Sequence, residues 1–395
     1  MIRLPDGFDQ LLAASVSPER AQRVLQALDQ EPSVSIRLNP SKLRECPFTD
    51  ATPVPWSPWG YLLKERPVFT LDPLFHAGCY YVQDTSAMYV GHVFREVTRE
   101  LGPGAAVLDL CAAPGGKTTD LATSLRERFG DRFSLLSNEV MRARYATLRS
   151  NVETWGDPCV QTISRDPSAF GDSPVFDVIL ADVPCSGEGM FRKDAQAVQE
   201  WSPKTVEFCA LRSFRILSDI WPTLKPGGIL VYSTCTFNHF ENDDTVARIA
   251  SGLGADVLPL PAFPPVVNTR YGQVLLPGLV PGEGQYVAAL RKHGDASGAC
   301  CGESCVSRSI GPLFSSGKRT FSDAPAVPSA APLVNVDRHT ALHYLHGDAI
   351  VLGADAPLGP VTIGFEGHAL GPAKNLGKRC NNLYPKNKRI RMDIR

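Results

Sequence analysis

From Gly104 to about Lys292 the chain alternates short apolar runs with longer stretches of mixed polarity. The runs are "AAVLDL", "FSLLSN", "VQTI", "FDVILADV", "GILVYST" and "QYVAAL". Near-continuous aliphatic runs of this length suit strands covered on both faces. Between them lie "KTTDLATSLRERF", "RARYATLRSNVETW", "PKTVEFCALRSFRILSDIW" and "ENDDTVARIASGL", each of helical length. Alternating strand and helix predict an α/β fold: a doubly wound, mostly parallel sheet with helices on both faces. Upstream, "SPERAQRVLQAL" predicts a helix with Pro18 in its first turn, and "SVSIRLNPSKL" a short alternating strand stopped by Pro40. "DTSAMYVGHVFREV" predicts a helix leading into the main domain, and a further helix is expected to start near Glu241, after the fifth strand. The stretch from His293 to Pro332 is rich in Gly, Ser, Ala and Pro, lacks apolar periodicity, and reads as a linker. Beyond it, "AIVLG" and "VTIGF" predict short strands. The expected organisation is a small amino-terminal α+β cap (1–80), a main domain (81–292), a flexible linker (293–332) and a small carboxyl-terminal module (333–395).

Composition adds limits. The chain has 395 residues, 43% hydrophobic and 21% charged, as in ordinary globular proteins. No apolar run is long enough to span a bilayer, and the amino terminus meets prolines and charges early instead of forming a secretory apolar core. A cytoplasmic, monomeric protein without membrane association is expected. Eleven cysteines are scattered without a repeated spacing, so neither a disulfide framework nor a metal site is expected; Cys300, Cys301 and Cys305 in the linker lack a second ligand cluster. The net charge of −1 hides an asymmetry: from Gly371 to Arg395 there are eight Lys or Arg residues against one acid, Asp393. Lys374, Lys378, Arg379, Lys386, Lys388 and Arg389 are therefore candidates for phosphate contacts, and Asn381, Asn382 and Tyr384 add hydrogen-bonding and stacking groups.

The first strand of the main domain feeds "CAAPGGKT". Its Gly-Lys-Thr resembles an ATP-binding loop, but the glycine required five residues before the Gly-Lys pair is replaced by Cys111. A Cβ there restricts the backbone where a triphosphate cradle needs freedom. Glu139 ends the second strand, placed to accept hydrogen bonds from ribose hydroxyls. The turn lacks the G-x-G-x-x-G of a dinucleotide site, so a nucleoside without pyrophosphate fits better; S-adenosylmethionine is such a ligand, with its adenosyl group near Asp166 at the third strand end. The fourth strand ends in "DVPCSGEGMFRKD", with Asp182 and Cys185 at its mouth and Arg192 and Lys193 supplying positive charge. The fifth ends in "STCTFNHFEND", with Cys235 at its tip. Adjacent strand ends bring the two cysteines to one cleft, where a thiol in an electropositive loop is a candidate nucleophile.

These motifs, in this order and spacing, resemble the Sun-family (Fmu-type) RNA cytosine-5 methyltransferases; "IRLNPSK" and "YYVQDTSAM" are similar to that family's amino-terminal segment. The basic "LGPAKNLGKRCNNLYPKNKRIR" is similar to the end of its bacterial branch, which acts on a cytidine of small-subunit (16S) ribosomal RNA. The resemblance implies a Rossmann-like S-adenosylmethionine-dependent methyltransferase with a small RNA-binding domain at its end and RNA as partner. It implies that Cys111, Ala112, Ala113, Pro114, Gly115, Gly116 and Lys117 line the cofactor, with Glu139 at its ribose, Asp166 at its adenine and Asp182 at its edge. Cys235 would be the nucleophile, Cys185 the group that assists product release, Asp182 the holder of the cytosine ring, and Lys193 a further catalytic residue. Val183 stands where the family carries alanine. The alternatives are a catalytically silent RNA-binding or ribosome-assembly protein, and a cytosine-5 methyltransferase acting on transfer RNA or DNA. A DNA enzyme would use the Pro-Cys cysteine as nucleophile and have no need of the Thr-Cys motif.

Overall fold

The computed structural model describes residues 3–294 and 331–394. The segment read as a linker, with its three cysteines, lies outside the described residues apart from its ends. The chain begins with helices α1 (Phe8–Val16) and α2 (Pro18–Leu28), strands β1 (Val34–Leu38), β2 (Thr52–Pro53) and β3 (Gly60–Leu63), the short helix α3 (Pro73–His76) and strand β4 (Tyr80–Val82). There follow α4 (Thr85–Val97), β5 (Ala105–Asp109), α5 (Gly116–Phe129), β6 (Phe133–Asn138), α6 (Arg142–Trp155), β7 (Val160–Ile163) and β8 (Phe176–Asp182). Helices α7 (Ala195–Glu200) and α8 (Pro203–Ile220) precede β9 (Leu224–Thr234), α9 (Asp243–Leu253), β10 (Ala255–Val257), β11 (Val267–Asn268), β12 (Gln273–Leu275) and β13 (Gln285–Lys292). The last elements are β14 (Leu333–Asn335), α10 (Arg338–His346), β15 (Gly359–Phe365), β16 (His368–Asn375) and β17 (Cys380–Asn382). Among the described residues no helix is long and apolar enough to cross a membrane.

Two compact units form. The first comprises residues 3–37, 48–64 and 82–294; the second comprises 38–47, 65–81 and 331–394. The stretch 1–80 is thus shared between them.

In the first unit the sheet runs β7-β6-β5-β8-β9, all parallel, and continues through antiparallel β13 to β12 and β11, with β10 pairing antiparallel to the carboxyl end of β13 on the same flank as β12. Alternate residues of each strand enter opposite cores, as the two-residue period of a strand requires. Leu108, Leu136, Ile179, Leu230 and Ala288 meet α1, α2, α8 and α9 on one face. Val107, Leu135, Val178, Val231 and Val287 meet α4 and α5 on the other. Burial of every residue of β5 accounts for its uninterrupted apolar sequence. The chain leaves β5 toward β6 on one side and returns to β8 on the other. This topological switch opens a crevice at the carboxyl ends of β5 and β8, where α/β sheets bind ligands.

The second unit is a sheet in the order β14-β15-β16-β17 covered by α10, whose amino end is capped by Asp337 accepting from the Thr340 amide at 2.7 Å. One expectation is corrected here. "AIVLG" is not a strand: only Ile350 makes an isolated bridge, to Cys380, while Ile350 and Leu352 turn into the core from a loop. The end of β16 and all of β17 lie within the basic stretch from Gly371. In the first unit, the helix expected from Glu241 begins at Asp243.

Candidate active site

The turn between β5 and α5 is held from outside by side chains. Arg144 donates to the Ala113 carbonyl at 2.9 Å, Asn151 to that of Pro114 at 2.8 Å, and Arg37 to that of Gly116 at 3.0 Å. Ala112 and Ala113 are buried against Leu148 and Val152 of α6. Gly115 has φ +111°, where a side chain is strained, and an added Cβ would lie 3.3 Å from Leu148. The Cys111 thiol is pushed well up by burial, with Asp109, Glu139 and Asp182 adding to the effect, so it stays neutral. Lys117 does not reach for a phosphate: its ammonium sits 2.9 Å from the Asp182 carboxylate. Burial opposes the Lys117 charge, but Asp182 more than offsets it and the pKa lies above the ordinary lysine value.

Three carboxylates mark the strand ends. Asp109 is fully buried, and burial pushes its carboxyl up to about 7 although Thr118 donates to one oxygen at 2.6 Å. Glu139 is also buried; one oxygen accepts the Met141 amide at 2.9 Å, and Arg144 lies 3.4 Å from the other. Asp109 Oδ1 and Glu139 Oε2 make no hydrogen bond within the protein. Buried acceptors of this kind suit a ligand that brings donors, such as ribose hydroxyls and an ammonium group, and the exposed apolar Val140 and Met141 follow Glu139 directly. The residues present therefore fit S-adenosylmethionine. Asp166 is exposed and caps a 3₁₀ turn, accepting from the amide and hydroxyl of Ser168 at 3.0 and 2.7 Å; these bonds lower its pKa.

Parallel pairing of β8 with β9 sets Asp182 opposite Ser233, so the loops beyond them rise side by side. Their cysteines meet: the Sγ atoms of Cys185 and Cys235 are 3.3 Å apart. The hydrogen bond to Cys235, followed by burial, pushes the Cys185 thiol well above its usual range. Asp182 stands at the base of the pair, accepting from Lys117 at 2.9 Å, Ser233 at 2.8 Å and Gln285 at 3.1 Å. Lys193 pairs with Asp84 at 3.5 Å and Glu283 at 3.4 Å, and Arg192 donates to Glu283 at 2.6 Å. The positive charge expected near the thiols is thus neutralised by two acids that the motif reading missed. Asp84 had a signal, since it caps α4 ahead of "TSAM"; Glu283 and Gln285 had none, because β13 is brought in from far along the chain. Among the described residues no group of three or more His, Cys, Asp or Glu side chains is placed to hold a metal ion.

In the second unit Lys374, Lys378, Arg379 and Lys386 are exposed, whereas Lys388 and Arg389 are half-buried. Arg389 lies against Gly347 and donates to the Tyr384 carbonyl at 3.4 Å. Tyr384 is buried against the Tyr344 ring at 5.4 Å, and Asn382 bonds the Tyr344 and Asp348 carbonyls. Tyr384 builds the unit's core and half-buried Asn382 pins its edge, in place of the recognition surface expected of them.

Comparisons with known proteins agree with this layout. Residues 98–291 match the family model described as 16S rRNA methyltransferase RsmB/F. Residues 4–85 match the N-terminal domain of 16S rRNA methyltransferase RsmF, and 331–390 the methyltransferase RsmF PUA domain. The chain is 32% identical over 314 residues to a Ribosomal RNA small subunit methyltransferase F of Salmonella paratyphi A, covering 74% of this chain and 64% of that one. It is 33% identical over 307 residues to its namesake in Klebsiella pneumoniae, covering 72% and 60%. The chain thus spans less than two thirds of these relatives' length. A crystal structure of a methyltransferase homolog protein from Pyrococcus horikoshii superposes with a TM-score of 0.60 at 27% identity, covering 72% of this chain and 93% of that one. NSun6 from the same organism, solved with SFG, gives 0.62 at 18% identity, covering 74% and 99%, a likeness of fold.

Proposed function

The chain belongs to the RsmB/F family of 16S rRNA methyltransferases, and from that premise we propose that it methylates carbon 5 of a cytidine in small-subunit ribosomal RNA, with Cys235 as nucleophile. The observation that carries this reading is the 3.3 Å thiol pair above Asp182 and Lys117, beside a cradle that fits a nucleoside. When bound, S-adenosylmethionine supplies an electrophilic methyl group. Cys111 to Lys117, Glu139 and Asp166 would hold it.

The protein's own residues do the rest. Carbon 5 of cytosine is too electron-poor to take a methyl group directly. Addition of the Cys235 thiolate to carbon 6 makes carbon 5 an enamine carbon, dividing one difficult step into two. Asp182 sits where it can share a proton with the third ring nitrogen, and Lys117 fixes it there, stabilising charge as it develops. After methyl transfer the adduct must lose the proton on carbon 5 and break the bond from carbon 6 to sulfur. Cys185 is the base in reach. In the free protein its pKa is raised chiefly by the hydrogen bond to Cys235. Acting as thiolate from 3.3 Å beside the Cys235 sulfur, Cys185 takes the proton on carbon 5, and the electrons of that carbon–hydrogen bond restore the ring's 5,6 double bond as the bond from carbon 6 to sulfur breaks. The electron pair of the broken bond returns to Cys235 as thiolate.

The second unit, matched as a PUA domain, presents Lys374, Lys378, Arg379 and Lys386 to RNA phosphates, with Lys388 and Arg389 supporting them from half-buried positions. A cytidine must leave its stack to reach the thiols, at a cost of a few kcal/mol, so loops and helix ends are the easier targets. One chain carries the full set of site residues and acts as a monomer, in the cytoplasm where ribosomal RNA is processed. The test is transfer of labelled methyl from S-adenosylmethionine to small-subunit RNA, naked and assembled. Label on cytidine should vanish in Cys235→Ala, and Cys185→Ala should accumulate a covalent protein–RNA adduct. Near-normal turnover by Cys235→Ala would sink the assignment.

A further inference from the structure

Two buried carboxylates outside the proposed chemistry tie the cysteine loops to each other. Glu188 belongs to the Cys185 loop and is 1% exposed. One of its oxygens accepts the amides of Phe237 at 2.6 Å and Asn238 at 3.1 Å, both in the Cys235 loop. The other accepts from the Asn238 side chain at 2.9 Å and the Trp201 indole at 3.0 Å. Glu241 belongs to the Cys235 loop, is 0% exposed, and reaches back the other way. It accepts the Ser186 amide at 2.8 Å, the Ser186 hydroxyl, and the Asn238 side chain at 2.8 Å. Its own carbonyl is fixed by the Tyr232 hydroxyl at 2.6 Å. Between the two acids, the Gly189 amide donates to the Cys235 carbonyl at 2.8 Å, an approach that a Cβ on Gly189, 3.0 Å from that oxygen, would crowd.

Burying two carboxylates is costly, and apolar residues of similar volume commonly hold two loops together as well or better. What they cannot do is satisfy the backbone amides of irregular loops. Apart from the Trp201 indole, the donors these two carboxylates serve lie within one to three residues of Cys185 or Cys235. We infer that Glu188 and Glu241 are positioning residues, a reciprocal clasp that holds the Cys185 and Cys235 sulfurs in reach of each other so that adduct breakdown keeps pace with adduct formation. The inference rests on the reading of Cys235 as nucleophile and Cys185 as release group.

The test uses the full chain with Glu241→Gln and Glu188→Gln, each of which keeps the side-chain shape but turns one acceptor into a donor facing donors. Rates of adduct formation and decay are measured on the RNA that the native protein methylates. Adduct decay is expected to slow about tenfold while formation changes by no more than about twofold. Equal changes in both rates, or none, in variants that melt like the native protein would overturn the clasp. Should either variant fail to fold, Ser186→Ala removes a single hydroxyl and should lengthen adduct lifetime to a smaller degree; an unchanged lifetime overturns the inference. A second arm needs no RNA: dibromobimane joins two nearby thiols as thioethers with loss of both bromides, and its fluorescence above a Cys235→Ala control reports this pair. Slower cross-linking in the glutamine variants supports the clasp, and an unchanged rate refutes it. Absence of methyl transfer by the native protein would defeat the methyltransferase reading and leave this arm to judge the clasp alone.

Discussion

Replacing Asp182 by asparagine removes one charge from a pair whose other member is largely buried in the cleft. The Lys117 side chain is 15% exposed and that of Asp182 28%. At 2.9 Å and an effective dielectric of about 20, their attraction is 332/(20 × 2.9), or about 6 kcal/mol. Desolvation of both charges offsets much of this, and the exposure of Asp182 lowers it further. Asparagine can still accept from Ser233 and Gln285, so the loss should be chiefly electrostatic, about 2–4 kcal/mol. Urea unfolding followed by tryptophan fluorescence suits the measurement, because all five tryptophans lie in the unit that contains the pair. The pH dependence carries a sign. In the native protein the Lys117 pKa is raised, so the pair's contribution is complete below the ordinary lysine value and fades as pH rises through the higher one. Without Asp182 the lowering effect of burial is opposed only by Cys235 and Asp109, so the deficit of the variant should narrow as pH rises toward the ordinary lysine value. Lys117→Met and the double variant complete a cycle. A loss below about 0.5 kcal/mol for Asp182→Asn, or single losses that simply add in the double variant, would refute the reasoning.

Asp109 is pushed up to about 7 by burial, so its contribution is complete below the ordinary aspartate range and is lost as pH rises through 7. Native stability should decline across that interval; Asp109→Asn, still able to accept from Thr118, should flatten part of the decline in denaturant titrations. Glu241, raised to about 7 mainly by burial, supplies a remainder of the same sign. Gly115→Ala combines a φ of +111° with crowding of Leu148 and should cost about 1–2 kcal/mol, seen as a lower melting temperature together with weaker S-adenosylmethionine binding by calorimetry. Neutralising the exposed Lys374, Lys378, Arg379 and Lys386 together should weaken RNA binding and flatten its salt dependence by about one unit of slope per lost phosphate contact. An unchanged slope would exclude this face as the RNA contact.

The strands of the main sheet were legible because burial on both faces leaves runs such as "VLDL" and "VILAD" little freedom to be anything else. The loops that follow carried their chemistry in residue type: a thiol after Pro184, another after Thr234, and an acid closing β6. The carboxyl-terminal module was harder. Its strands are short and its loops contain as many apolar residues as its sheet, so "AIVLG" looked extended although its backbone bonds go elsewhere. Tyr384 looked like a stacking platform because an aromatic among bases has the same sequence signature whether it faces RNA or a neighbouring tyrosine.

Periodicity and local chemistry are properties of neighbours along the chain, and they sufficed for the parallel sheet, the glycine turn and the presence of two cysteines at strand ends. The 3.3 Å between those cysteines is of another kind. It depends on β8 lying beside β9, on Lys117 turning toward Asp182, and on glutamates answering amides 49 and 55 residues away. The same holds for Glu283, which neutralises Arg192 and Lys193 from 91 residues downstream of Arg192. Such partners are chosen by where the sheet brings the chain back and by the need of every buried charge for an opposite charge or for hydrogen-bond donors, and neither leaves a periodic trace in the sequence.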